Sequence, residues 1–228
     1  MKSKTKKYLR SIIKLVLFLI ILVNSYKIVE KQYQYLSSNY VYRQVRKEKD
    51  QAPTVPGYLY SKDYDWIQVT NTKIDYPIMK TNDNGYYLNH NYKNNYDISG
   101  AIYYDASDEP HNRNLTVIYG HAMRNGSMFK SLHYLRDDHD KFLDSKLYIY
   151  TKERKTTYKP LGYKIYSATD MSYRMIEYMN EYQIKDYLIK ECDFYTNAEI
   201  IENKHIIGLV TCEYSIDNGR IIMFYIEE

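Results

Sequence analysis

The spacing of apolar and polar residues divides the chain into a helical N-terminal part and a longer part with strand patterns. Residues 12–29 are mostly apolar, with an unbroken apolar centre at 15–23. Residues 26–50 contain no helix breaker and place apolar side chains among charges, which predicts a helix leading away from the first segment. Two prolines and a glycine within residues 51–57 end this pattern and mark a boundary.

Beyond residue 56, eight short apolar segments separated by polar turns predict β-strands. They are residues 66–69, 74–79, 101–104, 116–119, 147–151, 156–166, 206–211 and 221–226. Helical patterns interrupt them at 128–135 and, between the sixth and seventh predicted strands, at 173–192. The predicted fold is therefore mostly β with helices: a closed or nearly closed eight-stranded β-barrel, with an N-terminal helix and a helix inserted before its last two strands.

The apolar segment near the N-terminus is typical of a membrane-targeting segment. A spanning helix needs about 20 mainly apolar residues, so this segment is slightly short and the charge of Lys14 must reach the interface. The sequence allows an uncleaved anchor or a cleaved signal peptide, and residues 24–27 offer no clear cleavage site, which favours the anchor. Because basic residues precede the segment, we expect the N-terminus in the cytoplasm and the rest of the chain outside the cell.

We therefore expect three regions. Residues 1–25 form a cytoplasmic basic tail and a single membrane anchor, 26–55 a juxtamembrane helix and linker, and 56–228 an extracellular β-barrel domain. The sequence does not decide whether the juxtamembrane helix packs on the barrel or stands as a stalk.

Composition adds little to this organisation. The net charge is +4, and much of the excess lies in the first 14 residues, so nothing supports nucleic-acid binding. The 30 tyrosines fit either a binding surface outside the cell or the codon usage of an AT-rich genome.

Two reactive side chains flank a predicted turn near the C-terminus. Residues 206–210 predict a buried strand that closes with Thr211 and Cys212, residues 217–219 predict a turn, and Arg220 begins the next strand. If the two strands pair, the thiol and the guanidinium lie at the same end of a sheet. A cation favours the thiolate of a nearby cysteine and stabilises the oxyanion that forms when the thiolate attacks a carbonyl.

His121 is the strongest candidate for moving protons at this thiol, because it directly follows the predicted strand 116–119 and Gly120. The other histidines are His90, His111, His133, His139 and His205. Most of them lie in polar loop or helix contexts, where a solvated side chain is the default. His205 precedes the strand of Cys212, so it would lie at the opposite end, about 20 Å away.

Metal and nucleotide sites have no support in the sequence. The acidic clusters at 105–109 and 137–140 lack the spacing of metal ligands and are interpreted as solvated loops. A Gly-rich phosphate loop is also missing from the sequence, so we expect neither metal nor cofactor. Cys192 and Cys212 would form a disulfide in many exported proteins, but the position of Cys192 at the end of a helical pattern favours a free, partly buried thiol.

These motifs together resemble the Cys-His-Arg site of sortases, the cysteine transpeptidases of Gram-positive bacteria. The resemblance rests on Leu209-Val-Thr-Cys212, on Arg220 eight residues later, and on Tyr119-Gly-His121 far upstream. The run Gly-His-Ala-Met-Arg-Asn-Gly-Ser-Met-Phe at 120–129 resembles class B sortases in particular. Gly208 departs from the Thr-Leu-x-Thr-Cys pattern of many sortases, which leaves the three catalytic positions unchanged.

The resemblance implies a role for each of these residues. Cys212 is the nucleophile that holds the acyl fragment as a thioester, His121 is the general acid and base, and Arg220 stabilises the oxyanion or orients the substrate. It also implies that the inserted helix forms a wall of the substrate groove. The implied substrate-binding residues are Asn84, Leu88, Tyr119, Thr169, Tyr173 and Glu213.

The implied function is a membrane-anchored transpeptidase. It cleaves a secreted protein after the threonine of a C-terminal Asn-Pro-x-Thr or similar Pro-x-Thr sorting motif and transfers the protein to an amine of a peptidoglycan precursor or cross-bridge. A sortase that polymerises pilins is a close variant. Two different functions stay open: a cysteine peptidase that passes the same acyl group to water, and a non-catalytic, tyrosine-rich surface module that binds a partner.

Overall fold

The computed structural model of the chain describes residues 2–52, 55–59, 61–107, 114–170, 172–197 and 204–228, apart from the side chains of residues 2–5, 173, 177 and 181. The helices in these residues are α1 (Lys2–Asp50), α2 (Val55–Leu59), α3 (Ser131–Asp137), α4 (His139–Leu143), α5 (Glu181–Glu191) and the 3-10 helices Tyr86–Leu88 and Ser172–Tyr178. The apolar segment and the juxtamembrane segment thus form one continuous helix, α1.

The strands form a closed barrel. They are β1 (Asp65–Val69), β2 (Asp75–Met79), β3 (Ile102–Tyr104), β4 (Leu115–Tyr119), β5 (Leu147–Tyr150), β6 (Lys155–Ser167), β7 (Phe194–Tyr195), β8 (Ile206–Cys212) and β9 (Gly219–Glu227). Their order is β5-β1-β2-β3-β4-β8-β9-β6-β7, and β5 also pairs with β6, which closes eight strands into a ring. The eight predicted strands and the barrel are confirmed; the two-residue β7, added at the edge of β6, is too short to leave a pattern in the sequence.

The strand that ends at Cys212 is buried on both faces. Ile207 and Leu209 belong to the main core of the barrel. Ile206 and Val210 point the other way, into a second cluster that also contains residues of α5. A strand covered on both sides needs apolar residues at consecutive positions, which explains the unbroken apolar run 206–210.

The second half of α1 packs on the barrel. Its buried residues, Ser38, Tyr42, Val45 and Lys49, recur every three or four positions and so lie on one face of the helix. Lys49 Nζ lies 2.6 Å from the Asp75 carboxylate and 5.0 Å from the centre of the Trp66 ring. The structure therefore favours packing over a free stalk. The apolar residues of the first half are exposed, and α1 is long and apolar enough to cross a membrane.

Replacing Tyr42 with alanine is expected to destabilise the protein by about 3 kcal/mol, because the change leaves a cavity between α1 and the barrel. Tyr42 is 2% exposed, its ring meets that of Tyr76 edge-on at 5.3 Å, and its hydroxyl donates to the carbonyl of Gly100. Thermal unfolding in detergent measures the effect. Tyr40→Ala is the matched control, because the side chain of Tyr40 is 62% exposed on the same helix; equal shifts for the two variants would argue against the packing.

The helix inserted before β8 is shorter than predicted. The pattern at 173–192 resolves into the 3-10 helix Ser172–Tyr178 and, after a break, α5. Asn180 causes the break: its side chain accepts from the Gln183 backbone N–H while the Gln183 side chain accepts from the Asn180 N–H, a capping box that begins a new helix. Ile184 and Leu188 then pack α5 onto the outer face of β8 and β9. The other predicted helix, 128–135, begins later, as α3, because Met128 has a positive φ of 57°.

Candidate active site

Cys212 and Arg220 face each other at the end of the β8–β9 ladder. The antiparallel register pairs Cys212 with Arg220. The next pair, Glu213 and Gly219, is joined by a hydrogen bond from the Glu213 N–H to the Gly219 carbonyl, 2.9 Å. Hydrogen-bonded and non-hydrogen-bonded pairs alternate in an antiparallel ladder, and side chains approach more closely in the latter. Cys212 and Arg220 form such a non-hydrogen-bonded pair, so the thiol and the guanidinium lie together, as the turn signal at 217–219 predicts.

His121 reaches the same place from the neighbouring strand. β4 runs parallel to β8 with Tyr119 opposite Val210, so two residues later His121 lies beside Cys212. Nε2 of His121 is 2.7 Å from the carbonyl oxygen of Leu88. Because a carbonyl oxygen only accepts, Nε2 carries a proton and donates it to this bond. Nδ1 is then the ring nitrogen that gains or loses a proton.

The backbone around His121 is tightly held. A Cβ added to Gly120 would lie 2.4 Å from Cδ1 of Ile102 and 2.8 Å from the Phe129 ring, so only glycine fits between them. The N–H of Phe129, which is fully buried, donates to the His121 carbonyl at 2.8 Å. This hydrogen bond closes the loop from His121 to Phe129 at its base and fixes the backbone of His121, from which the imidazole extends.

The thiol and the imidazole shift each other's protonation in opposite directions. The hydrogen bond with His121 lowers the pKa of Cys212, and the charge of Arg220 lowers it further, against burial, which raises it. The hydrogen bond with Cys212 raises the pKa of His121, and the carbonyl of Leu88 supports this increase, against burial and Arg220. Both directions favour a thiolate next to an imidazolium. The site is therefore suited to nucleophilic attack on a carbonyl, followed by donation of a proton to the leaving group.

Asn84 and Tyr119 meet at the buried carboxylate of Asp105, and Leu88 contacts His121. Asn84 Nδ2 donates to Asp105 Oδ2 at 3.3 Å, and its Oδ1 accepts the Ala106 N–H at 2.8 Å. Tyr119 also hydrogen-bonds to Asp105. The Leu88 carbonyl accepts the hydrogen bond from His121, and the Leu88 side chain is 47% exposed.

The remaining predicted substrate residues differ in exposure. Thr169 is exposed, hydrogen-bonds to Ser167 Oγ at 3.1 Å, and follows the end of β6, whose Tyr166 pairs with Arg220. Tyr173 lies in the 3-10 helix Ser172–Tyr178, but its side chain is outside the described residues. Glu213 directly follows Cys212, yet its carboxylate is buried. The substrate-binding roles of all these residues stay predictions.

Two functional candidates are buried although the sequence suggested solvated side chains. Asp105, interpreted as part of a solvated acidic loop, is 4% exposed; it accepts the N–H and hydroxyl of Ser107 and forms an ion pair with Arg174 of the inserted segment. His133, also expected to be solvated, is 4% exposed on α3. Both expectations were wrong because tertiary partners decide burial here. One local signal existed: Asp105 directly follows the apolar strand β3, so it lies at a strand end, as His121 and Cys212 do.

Comparison with known proteins gives consistent matches over the barrel. A protein-family model described as Sortase domain matches residues 67–225, which include His121, Cys212 and Arg220. Among curated proteins, Sortase B of Listeria monocytogenes is 36% identical over 167 residues, covering 69% of this chain and 66% of that protein. The chain thus spans just under two thirds of this relative's length.

Solved structures agree with this match. Sortase B of Clostridium perfringens is similar with a TM-score of 0.65 and 27% identity, covering 74% of this chain and 96% of that one. Sortase B of Bacillus anthracis, in complex with AAEK1, is similar with a TM-score of 0.70 and 25% identity, covering 86% of this chain and 98% of that one.

Proposed function

The chain belongs to the sortase family, and on this premise we propose that it is a membrane-anchored class B cysteine transpeptidase. Its substrate is a secreted protein with a C-terminal Asn-Pro-x-Thr or similar Pro-x-Thr sorting motif, which it cleaves after the threonine. The acceptor is an amine of a peptidoglycan precursor or cross-bridge. The observation that carries the proposal is the meeting of Cys212, His121 and Arg220 at the ends of three adjacent strands.

The reaction proceeds in two acyl transfers. The Cys212 thiolate attacks the threonine carbonyl, and the Arg220 guanidinium stabilises the oxyanion of the tetrahedral intermediate. The C–N bond breaks, His121 donates its proton to the departing amine, and a thioester remains on Cys212. The acceptor amine then loses a proton to His121 and attacks the thioester, which forms the new amide and restores the thiolate.

In our proposal, the predicted substrate-binding residues give this reaction its specificity. Asn84, Leu88 and Tyr119 lie on one side of the catalytic residues, and Thr169 lies near Arg220 on the other. The ion pair of Asp105 with Arg174 joins the first group to the inserted segment. A peptide bound between them would present its threonine carbonyl to Cys212.

The anchor places the reaction at the membrane. In our proposal residues 1–25 form a cytoplasmic tail and a single span, 26–55 a juxtamembrane helix and linker, and 56–228 the extracellular catalytic domain. The continuous helix α1 and its exposed apolar half support this arrangement. Both expected substrates, a secreted protein and a peptidoglycan amine, would reach the catalytic domain at the outer face of the membrane.

Incubation of the full chain in detergent with Pro-x-Thr peptides tests the function. Mass spectrometry after proteolysis is expected to find the acyl group on the segment containing Cys212, and an added amine is expected to accept it. A peptide with its proline and threonine exchanged is the control. Transfer to water alone, unaffected by any amine, would favour a cysteine peptidase, and the absence of an adduct with every peptide would favour a non-catalytic binding module.

The roles of charge and shape at Arg220 can be separated. Arg220→Gln is expected to lower turnover on the order of 10²-fold, because a shorter, neutral amide replaces the charged fork of donors to the oxyanion. It is also expected to move the alkylation profile of Cys212 to higher pH, because Arg220 lowers the pKa of that thiol. Arg220→Lys keeps the charge but lacks the planar fork of donors. It should keep the low alkylation pH and still lose turnover; wild-type turnover in this variant would mean that charge alone suffices.

A further inference from the structure

The main chain of Cys212, as well as its side chain, is contacted by a histidine. Because Cys212 and Arg220 are a non-hydrogen-bonded pair, the Cys212 carbonyl points away from β9. His133 of α3 meets this carbonyl, with Nε2 3.0 Å from the oxygen. Since the oxygen only accepts, Nε2 of His133 carries a proton and donates it. The ladder of β8 thus ends in a bond to an imidazole side chain.

A buried carboxylate lies beside His133. Nδ1 of His133 lies 3.4 Å from Glu213 Oε2, and Arg136 binds the same oxygen. The other oxygen, Oε1, accepts the backbone N–H groups of Tyr214 and Ser215 at 2.8 and 2.9 Å. Glu213 therefore joins the turn that follows Cys212 to the helix that carries His133. The bonds of the Glu213 carboxylate to Arg136 and to the two backbone N–H groups are charge-assisted, and such bonds are stronger than neutral ones.

The charges around His133 favour its neutral form. Burial lowers the pKa of His133, and Lys130 and Arg136 lower it further, against Glu213 and the Cys212 carbonyl. A neutral ring with its proton on Nε2 keeps the bond to Cys212 and leaves Arg136 to balance the charge of Glu213. Burial raises the pKa of Glu213, but the two backbone N–H groups and the charge of Arg136 outweigh it, so the carboxylate stays ionised.

The segment from His121 to His133 contacts Cys212 at two points. His121 follows β4 and hydrogen-bonds to the thiol, and His133 lies on α3 and hydrogen-bonds to the carbonyl. Phe129, fully buried between them, anchors the segment. Rotation of the peptide group that follows Cys212 would break the second contact and move the thiol relative to His121 and Arg220.

We propose that His133, buried beside the Glu213–Arg136 ion pair, is a positioning residue for acyl transfer: its Nε2–H fixes the peptide group of Cys212, and so keeps the thiol between His121 and Arg220. This inference rests on the proposed function. It gives the buried carboxylate of Glu213 the task of supporting the nucleophile, in place of the substrate contact that the resemblance implies.

Two substitutions at His133 distinguish the effect of its hydrogen-bond donor from the effect of its side-chain volume. Gln places an amide N–H near the position of Nε2, whereas Leu fills similar space without a donor. His133→Leu is expected to lower the rate of Cys212 acylation by about 10- to 100-fold, as small displacements of reacting groups do, and to move iodoacetamide alkylation of Cys212 to higher pH. His133→Gln should keep acylation within a few-fold of the wild-type rate.

His205 supplies matched controls on the same strand. It precedes β8, at the end opposite Cys212, and its ring nitrogens contact Thr116 and Tyr158 at 3.0 and 3.4 Å. His205→Leu and His205→Gln therefore make the same chemical changes far from the thiol. Both should keep the wild-type acylation rate and alkylation profile per folded molecule, with the folded fraction of every variant measured by thermal unfolding.

The outcomes discriminate clearly. Loss in His133→Leu with rescue in His133→Gln supports the positioning role. Wild-type acylation and alkylation in His133→Leu, equal losses in both His133 variants, or an equal loss in His205→Leu would each overturn it. Alkylation needs no sorting peptide, so it decides the inference separately: if no peptide acylates the wild-type protein, the proposed function fails, while the alkylation profiles still show whether His133 positions the thiol.

Discussion

The full chain carrying Cys212→Ala is expected to form no acyl adduct and to transfer no sorting peptide to an amine. Nothing else in the described site combines a low pKa with the nucleophilicity of a thiol. Burial raises the pKa of the other cysteine, Cys192, to about 12, so its thiol stays protonated and unreactive. The measurements are intact mass after incubation with a Pro-x-Thr peptide and chromatographic detection of the peptide–amine product.

Cys192→Ala is the matched control for this loss. It removes the same group from a partly buried site in the second cluster, and it should leave the adduct and the product at wild-type levels. Product formed by Cys212→Ala, or an adduct that disappears in Cys192→Ala, would show that the nucleophile has been assigned to the wrong residue. Unchanged partner binding by Cys212→Ala without any wild-type adduct would favour the non-catalytic module.

His121→Gln is expected to lower acyl transfer by about 10²- to 10⁴-fold, the usual contribution of a general acid and base. Gln can still donate to the Leu88 carbonyl, but it cannot give a proton to the leaving amine. The hydrogen bond from His121 is the largest influence that lowers the pKa of Cys212. Its loss should therefore raise that pKa, so that alkylation of Cys212 begins at higher pH than in the wild type.

His139→Gln is a suitable control, because His139 hydrogen-bonds to the Tyr163 hydroxyl at 3.2 Å and stacks on Phe194. It should change neither the acyl-transfer rate nor the pH of alkylation. A His121→Gln variant with wild-type turnover would mean that another group moves the proton. An unchanged alkylation profile would mean that His121 does not stabilise the thiolate.

Much of the fold could be predicted because its strands have local signatures. The sequence of β8 is an uninterrupted apolar run because both faces of the strand are covered. The turn at 217–219 predicts the pairing of β8 with β9. Helix boundaries were less predictable. The periodic pattern at 173–192 is compatible with one long helix, and only the reciprocal bonds of Asn180 and Gln183 show where a new one begins.

The meeting of the three candidate catalytic residues was predictable for a different reason. His121, Cys212 and Arg220 each stand at a strand end, a position that sequence patterns locate well. His133 and Asp105 were not predictable, because their environment comes from residues distant in the chain. His133 meets a carbonyl 79 residues away and a carboxylate 80 residues away, and Asp105 depends on Asn84 and Arg174. No local pattern encodes such partners.

If the apolar half of α1 spans the membrane, as proposed, the continuity of α1 also sets a geometric requirement for the substrate. The helix continues without interruption from its unbroken apolar centre, which ends at Val23, to Ser38, the first buried residue on the barrel side. At a rise of about 1.5 Å per residue, these 15 residues hold the barrel about 20 Å from the membrane end of the helix. An extended chain covers about 3.3 Å per residue. With the proposed anchoring, a membrane-tethered cargo protein would need a spacer of about six residues between its own span and its sorting motif to reach the level at which the barrel begins.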